Sequence, residues 1–132
     1  MEQEEIKILV VEDEALIAMD IAEKLSDMGY NVPQTTDNGA DAIRLAGELK
    51  PDIVLMDIVI KGEMDGIETA EQIRNLFNIP SLFLTAYNSS TIMDRAMKTN
   101  PAGFLLKPFE DTKLQQAILD MNIHGAIRGS KN

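Results

Sequence analysis

The chain has no cysteine and no tryptophan in 132 residues, and only one histidine. Without thiols there is no disulfide, no zinc–thiolate or iron–sulfur centre and no cysteine nucleophile. A lone His124 excludes a metal site made of imidazoles. Any bound metal is therefore held by oxygen, which selects a hard cation such as Mg²⁺. Positive charge is also scarce. Twelve basic residues face twenty-two acidic ones, a formal net charge of −10. Nucleic acids and anionic membrane surfaces both require a basic face, so neither is an expected direct partner. No apolar run approaches a membrane span, and the acidic N-terminus (MEQEE) is opposite in charge to a signal peptide. A cytoplasmic location is the expectation. With 45% hydrophobic and 26% charged residues the chain has an ordinary globular composition, and its length suits one domain.

What is present is an alternation of short apolar runs with helical periodicities. Ile6–Val11 (IKILVV) reads as a buried strand. Ile17, Ile21, Leu25 and Met28 recur at helical spacing over Glu14–Met28, and Gly29 ends that helix. Asn31–Thr36 is a weak strand whose Pro33 suggests an edge. Asn38–Lys50 is helical with Ala42, Leu45, Ala46 and Leu49 inward, and Asp52–Met56 (DIVLM) is a second buried strand. Further helices are predicted over Gly66–Phe77, Thr91–Lys98 and Thr112–Ile123, and strands over Ser81–Thr85 and Gly103–Leu106. Five strands alternating with five helices imply a doubly wound parallel sheet with helices on both faces. Residues 1–124 form the domain, and the sparse apolar content of 125–132 (GAIRGSKN) predicts a frayed tail.

In such sheets, ligands sit beyond the carboxyl ends of the strands. The residues that follow the apolar runs are Glu12 and Asp13, then Asp57, Thr85 and Lys107. Three converging carboxylates repel one another unless a cation lies among them. The economical reading is a Mg²⁺ site with Asp13 and Asp57 as direct ligands and Glu12 acting through water. A lysine and a hydroxyl beside them suit an anionic group, and a carboxylate can itself take a phosphoryl group as aspartyl phosphate. Taken singly, Asp13 also reads as a helix cap, Asp57 as a turn residue, Thr85 and Lys107 as structural or solvent-facing, and Phe104 as core. Their joint placement at strand ends favours the site.

The segments VVEDE (Val10–Glu14), LMDI (Leu55–Ile58), MDGIE (Met64–Glu68), LTA (Leu84–Ala86) and GFLLKPF (Gly103–Phe109), in this order, resemble the receiver domain of two-component response regulators, the CheY-like family. The resemblance implies a flavodoxin-like α/β fold with strand order 2-1-3-4-5. It implies that Asp57 accepts a phosphoryl group from the phosphohistidine of a sensor histidine kinase or phosphotransfer domain. It implies Mg²⁺ held by Glu12, Asp13, Asp57 and the Val59 carbonyl, phosphoryl contacts from Thr85 and Lys107, and Phe104 as the aromatic switch. The Lys107–Pro108 bond is cis in that pattern. Val59 and Tyr87 would form the rim of the site. Neither offers a positioned polar group for an attacking water, so slow loss of phosphate is expected. Such a receiver acts on its own aspartate rather than on a metabolite.

Three features depart from the usual pattern. The loop Ile60–Met64 lacks a proline and reads as one residue longer than usual, Phe104 stands where tyrosine is common, and no output module is expected after the last helix. A stand-alone receiver and a piece of a larger hybrid kinase or regulator both fit. Homodimerisation through the fourth-helix, last-strand and last-helix face is a further expectation, with Met93, Met97 and Met121 as candidates to meet a partner. His124 is read as a surface residue without a phosphotransfer role. A flavodoxin-type flavin carrier is disfavoured because Glu12, Asp13 and Glu14 would repel the flavin phosphate. A haloacid dehalogenase-type phosphatase would need its nucleophile after the first strand, where Glu12 and Glu14 stand. A receiver-like scaffold without phosphorylation is the remaining alternative.

Overall fold

A computed structural model describes residues 6–86 and 90–123. The elements run β1 (Ile8–Val11), α1 (Ala15–Asp27), β2 (Thr35–Thr36), α2 (Gly39–Leu49), β3 (Ile53–Asp57), α3 (Gly66–Phe77), β4 (Ser81–Thr85), α4 (Ser90–Lys98), β5 (Gly103–Leu106) and α5 (Asp111–Ile123). All strand pairs are parallel, in the order β2-β1-β3-β4-β5. The flavodoxin-like topology is therefore the one expected. Pro33 keeps its segment out of the ladder. The second strand shrinks to Thr35–Thr36, with one isolated bridge upstream between Lys7 and Asn31.

The continuous apolar runs follow from burial of both sheet faces. Along β1, Ile8 and Val10 join a core with Ile21 and Leu25 of α1 and Leu114 and Ile118 of α5. Leu9 and Val11 point the other way, into a core with Ala42 and Leu45 of α2, Ile67 and Ile73 of α3, and Ala96 of α4. Period-two alternation thus sends successive residues into two cores, and no position in the strand interior is free to be polar. Two facing assignments are corrected, one inward and one outward. Ile17 is 38% exposed, because Ala18 takes the inward position one residue on. Met121 is buried in the α1–α5 core and does not face a partner.

Helix starts are chemically defined. Asn38 caps α2 by accepting from the Asp41 amide at 2.9 Å. Asp65 caps α3 in a reciprocal box: its Oδ1 accepts from the Glu68 amide at 2.9 Å, and its own amide donates to Glu68 Oε1 at 3.1 Å. At α1 the N-cap is Glu14, with no side-chain cap bond, so the capping role considered for Asp13 is not the one it takes. The Lys107–Pro108 peptide is cis.

Gly66 opens α3 flush against the end of β3. Its amide donates to the Ile58 carbonyl at 2.7 Å, and a Cβ there would land on the Asp57 carbonyl oxygen. Only glycine lets the helix start so close to the strand. Gly66→Ala is expected to destabilise the fold by about 1–3 kcal/mol in urea unfolding, the usual range for overpacking against an immovable neighbour. A variant as stable as the parent would show that the strand end gives way freely.

Candidate functional site

The site forms where the strand ends meet. Glu12 follows Val10 by two residues, Asp57 follows Leu55, and Lys107 follows Leu105, and all three leading residues belong to the α1–α5 core. The two-residue period therefore sends Glu12, Asp57 and Lys107 off the same side of the sheet edge. The parallel ladder extends past the strands to hold them. The Glu12 amide donates to the Thr36 carbonyl at 2.9 Å, and the Lys107 amide to the Thr85 carbonyl at 2.8 Å.

The result is one ammonium between two carboxylates. Lys107 Nζ lies 2.8 Å from Glu12 Oε1 and 2.7 Å from Asp57 Oδ2. Both carboxylates are buried, with Glu12 2% and Asp57 6% exposed. Asp57 Oδ1 also accepts from the Val59 amide at 3.2 Å, and Glu12 Oε2 from the Glu14 amide at 3.2 Å. Asp13 completes the cluster. Glu12, Asp13 and Asp57 each offer a carboxylate oxygen within 4.8 Å of the others.

The charges do not balance. Two carboxylates meet a single lysine and a third lies beside them, which leaves a local excess of negative charge. Burial pushes the Glu12 carboxyl up, the Lys107 hydrogen bond opposes this, and the neighbouring Asp57 adds to the rise, leaving it at about 7. Burial would lower Lys107, but its hydrogen bonds to Asp57 and Glu12 outweigh that and hold the ammonium above its ordinary value. An all-oxygen donor set with more negative charge than its lysine offsets has the chemistry of a hard divalent-cation site.

The other expected site residues are placed as follows. Thr85 is buried at the C-terminal end of β4, and its partner in the β5 register is Leu106. Phe104 is half-buried on β5, two strands away from Asp57 in the sheet. It pairs with Phe83 in register, their ring centroids 5.7 Å apart. Val59 sits at the rim with 68% exposure. Tyr87 and His124, and the 125–132 tail, lie outside the described residues. The sequence marks Gly66 only as the start of a helix; that it packs against the Asp57 backbone leaves no sign in a single sequence.

Residues 8–119 match the family described as response regulator receiver domain. The transcriptional regulatory protein PdtaR of Mycobacterium tuberculosis is 38% identical over 112 residues, covering 85% of this chain and 54% of that protein. The chemotaxis protein CheY of Thermotoga maritima is 31% identical over 113 residues, covering 85% of this chain and 93% of CheY. The chain thus spans about half the length of the first of these relatives and nearly all of the second. Among solved structures, the signal receiver domain of a modulated diguanylate cyclase from Desulfovibrio desulfuricans superposes with a TM-score of 0.84 at 38% identity, covering 91% of this chain and 94% of that one. The fold, the strand-end cluster and these likenesses agree: the chain belongs to the response regulator receiver domain family.

Proposed function

We propose that this chain is the phospho-accepting receiver of a two-component system, with Asp57 as acceptor. The observation that carries the reading is the buried Asp57 carboxylate at the end of β3, 2.7 Å from Lys107 and beside two further carboxylates. The donor is the phosphohistidine of a sensor histidine kinase or phosphotransfer domain. An Asp57 carboxylate oxygen attacks phosphorus, the phosphorus–nitrogen bond breaks, and the imidazole leaves.

Asp13 and Asp57 would hold Mg²⁺ directly, with the Val59 carbonyl as third protein ligand and Glu12 acting through water. When bound, the cation supplies charge neutralisation for the carboxylates and the incoming phosphoryl oxygens. Lys107, already bonded to Asp57, turns one of its protons to a phosphoryl oxygen. Thr85 supplies a hydroxyl from the end of β4, and Phe104 changes its burial as Thr85 moves. The new group adds close to two negative charges, enough to recruit these donors and shift the loop after β4. Exposed Met97, Leu106 and Leu119 lie on α4, β5 and α5 and support self-association through that face.

Treatment with acetyl phosphate should give one labile adduct by mass spectrometry, absent from Asp57→Asn. An adduct that persists in that variant would sink the assignment.

Metal and pH should act on the same cluster. Folded Glu12 keeps its proton to about pH 7, whereas the unfolded chain releases it near 4.5. Within that window the folded state binds more protons, so Glu12 makes stability fall as pH rises. Without Mg²⁺, Glu12→Gln is therefore expected to gain on the parent by roughly 1–3 kcal/mol between pH 5 and 8. Saturating Mg²⁺ should raise the parent's melting temperature by mass action, and Asp13→Asn should lose most of that gain. Equal stabilisation of parent and Asp13→Asn would place the ion elsewhere.

The apolar rim bears on lifetime. Val59 cannot orient an attacking water, so self-dephosphorylation is expected to be slow and to quicken in Val59→Asn with Tyr87→Glu. An unchanged decay rate in that double variant would show that water access does not limit the lifetime.

A further inference from the structure

The fourth helix has little hold on the core. Among the described residues of α4, Ala96 is the single buried side chain, with Ile92 partly buried against the same core. By contrast, α3 buries Gly66, Ile67, Thr69, Ala70 and Ile73. What fixes α4 against α3 is polar at both ends. Arg95 Nη1 lies 3.0 Å from Asp65 Oδ2, and Arg74 Nη1 of α3 donates to the Asn100 carbonyl, just past α4, at 3.1 Å.

Asp65 is itself immobilised. Its other oxygen, Oδ1, caps α3 through the Glu68 amide, and its own amide is held by Glu68 Oε1. The next residue, Gly66, is bonded to Ile58 and packed on the Asp57 carbonyl with no room for a side chain. One carboxylate therefore serves two elements, and the residue that follows it is hydrogen-bonded to and packed on the backbone at the end of β3. The Arg95 guanidinium is held above its ordinary value by Asp65 first, with Glu68 and Glu71 of α3 adding to the attraction.

We propose that the Asp65 carboxylate is a shared anchor through which Arg95 ties α4 ionically to the Asp57–Ile58 backbone, so that the hold on α4 weakens with salt. This link is separate from any Thr85–Phe104 movement and does not depend on phosphotransfer. Arg95 and Asp65 act as positioning residues.

Amide hydrogen exchange of the full chain at low and high salt tests it. Asp65→Ser retains a capping oxygen for α3 but removes the charge that Arg95 meets. Arg95→Gln removes the other partner. At low salt, the amides of Asp94–Lys98 should exchange roughly two- to fivefold faster in each variant, the range for a half-exposed ion pair. The double variant should be no faster than either single one, since both remove the same link. In the parent, high salt should reproduce the acceleration, and in Arg95→Gln it should add nothing. Protection of the Glu68 and Thr69 amides should survive in Asp65→Ser, which separates loss of the anchor from loss of the cap. Unchanged α4 exchange in either variant, additive effects in the double variant, or a salt response that persists without Arg95 would each overturn the anchor.

Discussion

The arrangement turns on Lys107. Its ammonium is the only positive group bonded to the buried pair Glu12 and Asp57 among the described residues, and it arrives from a strand two places away from β3 in the sheet. Without it, two carboxylates would be buried side by side with no counter-charge, a state that costs several kcal/mol and is relieved by protonation. With it, Asp57 stays close to a cation while Glu12 is driven to about pH 7. The site therefore sits partly neutralised, with Asp13 adding charge that one lysine cannot offset. Such a cluster has the charge and donor set that the proposed phosphoryl transfer onto a carboxylate would require.

The sheet supplies the placement. Parallel strands end at the same edge, and their side chains alternate between two cores. Extending that alternation by one step past Val10, Leu55 and Leu105 puts polar groups on a common side without any special loop geometry. The same packing that makes the middles of β1, β3 and β4 apolar makes their ends the first positions where charge is tolerated.

This is why so much was legible beforehand. The strands at Ser81–Thr85 and Gly103–Leu106 and the helix at Gly66–Phe77 have the bounds expected from the apolar runs and their punctuation by Pro80, Gly103 and Asp65. The residues of the carboxylate cluster followed from reading the strand ends. Less legible were matters of facing. Ile17 and Ala18 share a helical turn, and only the sheet decides that the smaller one lies beneath it. Met121 is indistinguishable in sequence from the exposed Met97, yet one is buried and the other open. Contacts between distant positions, such as Arg95 with Asp65, leave no periodic trace at all.

The contrast between a rigid site and a loosely held fourth helix has a physical logic. Residues that bind charge must be fixed within a fraction of an ångström, so Glu12, Asp57 and Lys107 are mounted at the ends of strands and tied to one another. An element that reports a change at that site must instead have a second position within a few kcal/mol, and heavy apolar burial would forbid it. A helix seated on Ala96 and tethered by exposed ionic contacts meets that condition, because such contacts are individually weak and reform readily after a shift. The tether's attachment point matters as much as its strength. By ending on Asp65, next to the Gly66 that is bonded to Ile58 and packed on the Asp57 carbonyl, the proposed tether would join α4 to the end of β3 without a continuous apolar core between them.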